Sequence, residues 1–351
     1  MTPQAAEKDS YAFVALKSKG LAMKQLRFVF VLALLLTAQE TWAQQKFLMG
    51  YSSFSANQTP IWVAKEEGFF KRFGTDPDLI LIEGGTRGAQ ALISGDLPIM
   101  GMSGQPVISA RARGSDLVMI AGTVNKMNYV LIGAPTIKKP EDLKGKRIGA
   151  AQAGTASYHA VLLGLKHWRL EARRDGITIL QLGNQGARVA SLQSGGSDAI
   201  IVNPGLGPSL KERGNNIVAD FTELPIPYPQ QTVSVRERTL KTTPEFVENV
   251  MKGVVAGNSF SLEPRNKERV KQILAKYLRL ERVAQAEEHY QAALKVMAPK
   301  PYVDVAGINS MIEFITETDP LVAKVKPEVV INHAILKKLD DSGFIDQWSK
   351  R

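Results

Sequence analysis

Six short polar loops contain the residues whose types and spacing can do chemistry. Each follows a predicted apolar strand, and together they comprise residues 52–58, 84–86, 103–105, 154–157, 185–186 and Asn203. Their Ser, Thr, Asn, Gln and Gly residues offer hydroxyl, amide and backbone N–H groups, and the free N–H groups at a helix N-terminus favour an anion. Such loops can hold a small polar or anionic ligand without catalysing a reaction. Taken singly, each residue is equally compatible with a helix cap or a turn.

The sequence lacks the motifs expected of a catalytic or metal site. It contains neither a Gly-x-x-x-x-Gly-Lys-Ser/Thr phosphate loop nor a Gly-x-Ser-x-Gly elbow. The four histidines, His159, His167, His289 and His333, lie in predicted helices without metal-ligand spacing to carboxylates. The lack of any cysteine excludes disulfides, zinc–thiolate centres, thiol catalysis and a lipid-modified N-terminal cysteine. We therefore expect a protein that is not an enzyme and that has no cofactor and no metal.

The most informative stretch follows the second predicted strand and reads as loop, helix, strand and loop. Thr86 is predicted to cap the helix, Leu92 and Ile93 are predicted to face a core, and Gly95 is predicted to end the helix. A strand is predicted over Ile99–Met102. This alternation of strands and helices predicts a mostly parallel sheet with helices on both faces.

The same pattern recurs about a hundred residues later, in residues 183–205. The matching positions are Leu92 with Leu192, Ser94-Gly95 with Ser194-Gly195, Ile99–Met102 with Ala199–Val202, and Ser103 with Asn203. Two α/β lobes built on one plan explain the recurrence best. The alternative is that two Rossmann-like units share only the general pattern of α/β proteins.

The chain is then predicted to return to the first sheet. The proline-rich residues 223–229 suit an extended crossover, and residues 232–236 suit a strand that rejoins the first sheet. From Pro244 onward the apolar spacing is helical, and these helices are predicted to pack on the first lobe.

Several segments together carry a resemblance to a known family. They are Pro60-Ile-Trp-Val-Ala-Lys-Glu-Glu-Gly-Phe-Phe, Glu83-Gly-Gly-Thr, Gln90-Ala-Leu-Ile-Ser-Gly-Asp, Pro140-Glu-Asp-Leu-Lys-Gly-Lys-Arg-Ile-Gly and Leu192-Gln-Ser-Gly. In order and spacing they resemble the ABC-transporter solute-binding proteins of the nitrate/sulfonate/taurine and thiamine-pyrimidine-precursor type. The resemblance covers about residues 47–204 well and the helical C-terminal part loosely. Pro98 departs from the acidic residue usual in that family and is interpreted as the start of a strand.

The resemblance implies an α/β fold of two Rossmann-like lobes with a ligand cleft between them, the type II periplasmic-binding-protein fold. The lobes would close around one ligand and deliver it to an ABC permease in the inner membrane. Lobe 1 would comprise residues 44–127 and 228–351, and lobe 2 residues 128–227. The ligand-binding residues that the resemblance implies are Ser53, Asn57, Gly85, Thr86, Ser103, Gly104, Gln105, Thr155, Ala156, Ser157 and Asn203.

Two arginines could add a positive charge to that cleft. Arg87 and Arg188 each lie in the first helical turn after one of the six polar loops, here called the cleft loops. From there either could reach a ligand carboxylate or sulfonate. The favoured interpretation of both is a solvated helix face. The ligand is expected to be a sulfonate, a carboxylate or a nitrogen heterocycle, and the loop composition suits all three.

The N-terminus has the pattern of a secretory signal peptide. Lys24 and Arg27 precede an apolar run over residues 28–36, and Thr41 and Ala43 occupy the positions that favour cleavage after Ala43. Met23 is a better translation start than Met1, so the first 22 residues are interpreted as a leader that precedes the true start of translation. We therefore expect residues 1–43 to be removed and the mature protein to be periplasmic.

The charge distribution argues against a nucleic-acid partner. The formal net charge is +10, but the basic residues are scattered and form no stripe with interleaved aromatic residues. A monomer with a solvated positive surface is expected.

Two other functions stay open on the sequence alone. An enzyme on the same scaffold, related to a pyrimidine synthase or a sulfinate desulfinase, is disfavoured because those enzymes depend on cysteine. A ligand-sensing partner of a membrane receptor would use the same cleft as a transport protein.

Overall fold

A computed structural model describes residues 45–349 of the chain, and the fold is built from them. The predicted signal peptide and its cleavage site lie outside the described residues. No helix within residues 45–349 is long and apolar enough to cross a membrane.

The described strands form two five-stranded sheets of the same plan. The first sheet has the order β2-β1-β3-β10-β4 and the second the order β7-β6-β8-β5-β9. The strands are β1 Gln45–Tyr51, β2 Thr75–Leu81, β3 Ile99–Met102, β4 Leu117–Lys126, β5 Val130–Gly133, β6 Arg147–Ala150, β7 Thr178–Gln181, β8 Ala199–Val202, β9 Asn216–Asp220 and β10 Pro227–Arg236.

Each sheet is mixed in the same way. β1 pairs in parallel with β2 and β3, and β6 pairs in parallel with β7 and β8. β10 is antiparallel to both β3 and β4, and β5 is antiparallel to both β8 and β9. The antiparallel strand of each sheet is the one by which the chain enters after crossing from the other sheet. The predicted mostly parallel arrangement is therefore present in both sheets. The strand predicted over residues 232–236 does rejoin the first sheet, but it begins at Pro227, within the predicted crossover.

Helices flank the sheets and make up most of the C-terminal part. They are α1 Thr59–Glu66, α2 Phe69–Arg72, α3 Gly85–Ser94, α4 Gln105–Arg111, α5 Ala156–His167, α6 Gln185–Gln193, α7 Gly207–Glu212, α8 Glu237–Thr242, α9 Pro244–Leu262, α10 Lys267–Leu278, α11 Ala286–Leu294, α12 Val305–Thr316, α13 Pro327–Val330, α14 Ala334–Asp341 and α15 Phe344–Ser349. Short 3-10 turns lie between several elements. Pro140–Leu143 lies between β5 and β6, and Pro204–Leu206 lies between β8 and α7.

The stretch around α3 confirms most of its prediction and corrects two residues. The helix ends at Ser94 before Gly95, which has φ +86°, and β3 has the predicted bounds. Thr86 lies inside the first turn and is not the cap, because Gly84 precedes the helix and no side chain caps it. Ile93 is 40% exposed. It lies about 100° around the helix from the fully buried Leu92, which continues the buried stripe of Gly85, Gly88 and Ala89.

The main core lies between the first sheet and the C-terminal helices. α9 lies against α1 so closely at Gly257 that a Cβ atom there would be 2.2 Å from the carbonyl oxygen of Pro60. Trp62 of α1 stacks on Tyr277 of α10, with ring centroids 4.9 Å apart. The predicted packing of this helical part on the first sheet is confirmed. The C-terminal helices also reach the turn after β8 of the second sheet, because the ring of His289 in α11 lies against Gly205.

We propose that each sheet with its helices forms one lobe, with the boundaries expected from the sequence. The first sheet takes β1 to β4 and β10, and the second takes β5 to β9. The chain crosses between the sheets twice, after β4 and after β9. Below, lobe 1 and lobe 2 denote the parts built on the first and second sheet.

Candidate functional site

A cavity of about 620 Å³ lies where the cleft loops of both sheets come together. On the first sheet its wall begins at Ser52, directly after β1, and at Ser103, directly after β3. On the second sheet it begins at Ala151, directly after β6, and at Gly183, shortly after β7. The crevice beyond the carboxyl ends of parallel strands is where ligands bind in open α/β sheets. This cavity is therefore the candidate site.

Most of the residues expected at the site line this cavity. They are Ser53, Asn57, Gly85, Ser103, Thr155, Ala156 and Ser157. Local hydrogen bonds hold two of these side chains. The Thr155 hydroxyl accepts the Tyr158 N–H and donates to the Gln152 carbonyl, and the Ser157 hydroxyl accepts the Ala151 N–H at 3.1 Å. Contact of these residues with a ligand stays a prediction.

Four expected residues lie off the cavity wall. Thr86 is exposed on the first turn of α3. Gly104 is turned inward, and its N–H donates to the carbonyl of Pro229 at 2.9 Å. Gln105 is buried, and its Nε2 donates along its own helix to the Ser109 hydroxyl at 3.0 Å.

Asn203 is buried and hydrogen-bonded to both neighbouring loops. Its backbone N–H donates to Oε1 of Gln185 at 2.7 Å, and its Nδ2 donates to the carbonyl of Phe54 at 3.4 Å. It therefore orders the loops behind the wall. These four residues are not part of the cavity wall, and their contact with a ligand stays a prediction.

Arg188 is the residue whose environment departs most from its prediction. Arg87 is exposed, as expected, but Arg188 is only 4% exposed and lines the cavity. Its Nε donates to the carbonyl of Asn184 at 3.3 Å, and its Nη1 donates to the carbonyl of Ile201. No carboxylate pairs with it within residues 45–349.

The charge of Arg188 makes this wall of the cavity electropositive. Burial lowers the pKa of the guanidinium, but an arginine keeps its proton in proteins. A buried charge without a counter-ion is costly, and an anion in the cavity would offset that cost. The sequence placed Arg188 beside a cleft loop, but only the packing of α6 on β8 shows that it is buried.

Tyr129 and Gln230 lie on the same part of the wall. Burial raises the pKa of the Tyr129 phenol, while the positive charge of Arg188 and a hydrogen bond with the Gln230 side chain act in the opposite direction. The phenol is therefore a neutral hydrogen-bonding group. Gln230 is 4% exposed, and its Oε1 has no hydrogen-bond partner among the described residues.

A pair of glutamines supports the floor of the cavity. Gln58 Nε2 donates to Oε1 of Gln231 at 3.0 Å, and Gln231 Nε2 donates to Oε1 of Gln58 at 2.8 Å. This reciprocal bond joins the loop after β1 to β10. Gln230 and Gln231 were missed from the sequence, although two adjacent amides in one strand are a usable signal.

His289 completes the wall from the C-terminal helices and was also missed. It is 6% exposed, and a Cβ atom at Gly205 would be 2.3 Å from its Nδ1. Burial lowers its pKa to about 4, so the ring is neutral at neutral pH. Nδ1 has no hydrogen-bond partner within the described part of the chain. Its isolated position in α11 gave no signal in the sequence.

The two lobes touch directly beside the cavity. Gln185 Nε2 of lobe 2 donates to the carbonyl of Phe54 in lobe 1 at 3.1 Å. Asn128 Nδ2, in the segment between β4 and β5, donates to Oδ1 of Asn57 at 2.6 Å. Among the described residues, no group of three His, Asp or Glu side chains could hold a metal ion.

Comparison with known proteins identifies related binding proteins. The taurine-binding periplasmic protein of Escherichia coli (strain K12) is 30% identical over 152 residues, which are 43% of this chain and 46% of that protein. The chain thus matches about half the length of that relative.

Solved structures match over a larger part of the chain. A structure from Bordetella bronchiseptica RB50 has a TM-score of 0.74 at 18% identity and covers 86% of this chain and 98% of its own. The alkanesulfonate-binding protein SsuA of Xanthomonas axonopodis pv. citri, bound to MOPS, has a TM-score of 0.67 at 21% identity and covers 82% of this chain and 98% of its own. These likenesses show the periplasmic-binding-protein fold.

The family follows from a match to the sequence itself. The model of the family described as NMT1/THI5 like matches residues 55–266, which is more than half of the chain. The resemblance to ABC-transporter solute-binding proteins of this type is thereby confirmed, and the chain belongs to the NMT1/THI5-like family.

Proposed function

We propose that this protein is an exported solute-binding protein that captures a small organic anion between its lobes and delivers it to an ABC permease in the inner membrane. The observation that carries this proposal is Arg188, a guanidinium that is only 4% exposed, lines the cavity and has no carboxylate partner within residues 45–349. An anionic ligand would supply the missing counter-charge.

The rest of the wall suits binding without catalysis. The predicted contact residues contribute hydroxyl, amide and backbone groups, which hold a ligand but do not attack it. The cysteine on which the alternative enzymes depend is absent from the whole sequence. We therefore propose that the ligand leaves the cleft chemically unchanged.

Capture would proceed by closure of the lobes. Two crossovers join the lobes, after β4 and after β9, and such a pair of connections can act as a hinge. The contact between Gln185 and Phe54 would form on closure. The monomeric state, the periplasmic location and the permease partner are proposed from the family and from the relatives' names.

The proposal predicts that Arg188 and Arg87 differ in their effect on binding. Arg188→Gln should weaken the binding of a sulfonate or carboxylate ligand about 100-fold, because a charge-assisted contact in a dry site is lost. Arg87→Gln should leave the affinity unchanged, since Arg87 is exposed. Isothermal titration would measure both, with ligands first found by thermal shift.

The screen itself can refute the function. A ligand at about 100 times its dissociation constant adds about 2.7 kcal/mol of stability, which raises the melting temperature measurably. The panel should contain sulfonates, carboxylates and nitrogen heterocycles. If none shifts the melting temperature of the protein purified under ligand-free conditions, the proposed function is wrong.

A further inference from the structure

The cavity wall carries a cluster of apolar side chains that a purely polar ligand would not use. Phe54, Leu278 and Leu280 of lobe 1 and Val189 and Leu206 of lobe 2 all line the cavity. Each is half-buried, so part of its apolar surface is still uncovered. Covering apolar surface is favourable in proportion to its area, and these side chains come from both sides of the cleft. An apolar body between the lobes would therefore be covered from both sides.

The size of the cavity also favours a ligand with an apolar body. Its volume is about 620 Å³. At roughly 30 Å³ for each molecule of liquid water, that is the space of about twenty waters. An inorganic anion or a two-carbon sulfonate would leave most of this space to water that lies against the apolar side chains. A cavity of this size fits a ligand with a body at least as large as an aromatic ring.

Few residues of the cavity wall are charged, and these residues differ in how exposed their side chains are. Three lining residues carry a charge at neutral pH, namely Glu83, Arg188 and Arg279. Glu83 and Arg279 are exposed, whereas Arg188 is buried. The wall therefore offers one dry position for a negative group, next to apolar surface.

Arg279 stabilises the apolar part of the wall. Its backbone is in the left-handed region, with φ +57°, and its guanidinium carbon lies 5.0 Å from the centroid of the Phe54 ring. A cation over an aromatic face is attracted by the ring quadrupole. This contact holds the Phe54 ring beside the cavity and so helps to form the apolar part of the wall.

We propose that the ligand is an amphiphilic organic anion, with one carboxylate or sulfonate group at Arg188 and an apolar body of about ring size against the wall formed by Phe54, Leu206, Leu278 and Leu280. This inference rests on the proposed function and narrows its ligand class. Short-chain and inorganic anions would be weak ligands of the same site.

Matched probe ligands test the inference directly. Benzenesulfonate and methanesulfonate carry the same anionic group, and benzenesulfonamide carries the same ring without the charge. Titration calorimetry should be done in Tris buffer, because common zwitterionic buffers are themselves sulfonates. Benzenesulfonate is expected to bind at least 30-fold more tightly than methanesulfonate and at least 30-fold more tightly than benzenesulfonamide.

Variants of the apolar wall separate this inference from a general effect on the protein. Leu206→Gln and Leu280→Gln alter one apolar side chain in each lobe, and each should weaken benzenesulfonate about tenfold while methanesulfonate is unaffected. Leu321→Gln is the matched control, because Leu321 is 52% exposed and does not line the cavity. It should change neither affinity.

The outcomes distinguish the inference from the function on which it rests. If methanesulfonate binds as tightly as benzenesulfonate, the inference of an apolar ligand body is wrong, although the proposed function stands. If benzenesulfonamide binds as tightly as benzenesulfonate, the anionic group at Arg188 is wrong. If none of the three probes and no other member of the anion panel binds, the proposed function fails as well.

Discussion

His289 lies at the meeting point of the two lobes and is held neutral by its surroundings. Burial of the ring lowers its pKa from 6.5 to about 4. His159 has the same shift for the same reason, but it does not line the cavity. It also contacts lobe 1, because its Nδ1 is 3.4 Å from the hydroxyl of Tyr228, where the crossover after β9 enters β10. The two histidines therefore form a natural pair for comparison.

The depressed pKa predicts a loss of stability as the pH falls. Between pH 6.5 and about 4 the unfolded chain binds a proton at each histidine that the native protein does not bind. The free energy of unfolding should therefore decrease by up to about 1.4 kcal/mol per pH unit for each histidine. Urea unfolding at several pH values should show a shallower dependence in His289→Gln and in His159→Gln than in the wild type.

Ligand affinity should separate the two variants. His289 packs against Gly205 of lobe 2, so opening of the cleft would return its ring to water and its pKa towards the ordinary value. As the pH is lowered through the same window, the ligand affinity should decrease in the wild type and in His159→Gln. The decrease should be smaller in His289→Gln. An equal pH dependence of affinity in all three proteins would contradict this role of His289.

At the scale of elements, α1 and α9 approach each other closely in the main core. Gly257 allows the two helices to meet, because a Cβ atom there would be 2.2 Å from the Pro60 oxygen and 2.9 Å from the Ala64 nitrogen. Both are backbone atoms, so no side chain can move aside. A Cβ atom at position 257 would therefore push the axes of α1 and α9 apart.

Gly257→Ala should therefore destabilise the protein, although alanine is the better helix former. Overpacking of this kind costs about 1–3 kcal/mol, which exceeds the gain in helix propensity. Gly207→Ala is the matched control, since that glycine is also helical and its Cβ would meet nothing closer than 3.4 Å. Denaturant unfolding would measure both, and equal stabilities would show that the helices can separate at no cost.

At the scale of the whole molecule, we expect closure to depend on the hydrogen bonds that join the lobes beside the cavity. Gln185 makes one of these bonds, because its Nε2 donates to the Phe54 carbonyl at 3.1 Å, and within lobe 2 its Oε1 accepts the Asn203 N–H at 2.7 Å. It thus connects a loop of lobe 2 to a loop of lobe 1. Its removal should favour the open arrangement.

Gln185→Ala should accelerate ligand dissociation about tenfold, since one interlobe hydrogen bond is lost and a second loop is loosened. The exposed Gln90 in α3 offers a control, and Gln90→Ala should leave the rate unchanged. Stopped-flow displacement would measure the rates. Small-angle scattering with and without ligand should show a smaller radius with ligand, and identical dissociation rates in the two variants would argue against a role of Gln185 in closure.

Much of the local structure could be predicted from the residues alone. The strands Ile99–Met102 and Ala199–Val202 have their predicted bounds, and α3 ends before Gly95 as predicted. Apolar runs bounded by glycine, proline and polar residues determine such elements locally. The recurrence of one pattern also predicted two similar sheets, and the loops after their strands predicted the part of the cavity wall to which Ser53, Ser103 and Ser157 belong.

Only the tertiary structure decided which polar residues are buried at the cavity. Arg87 and Arg188 occupy the same local position after a cleft loop, yet one is exposed and the other is buried beside β8. Gln230 reaches the site through the returning strand β10, and His289 reaches it from α11, far along the chain. Burial and pKa depend on which distant elements pack together. The local pattern therefore determined the loops, and the packing of the two lobes determined the charge and shape of the site.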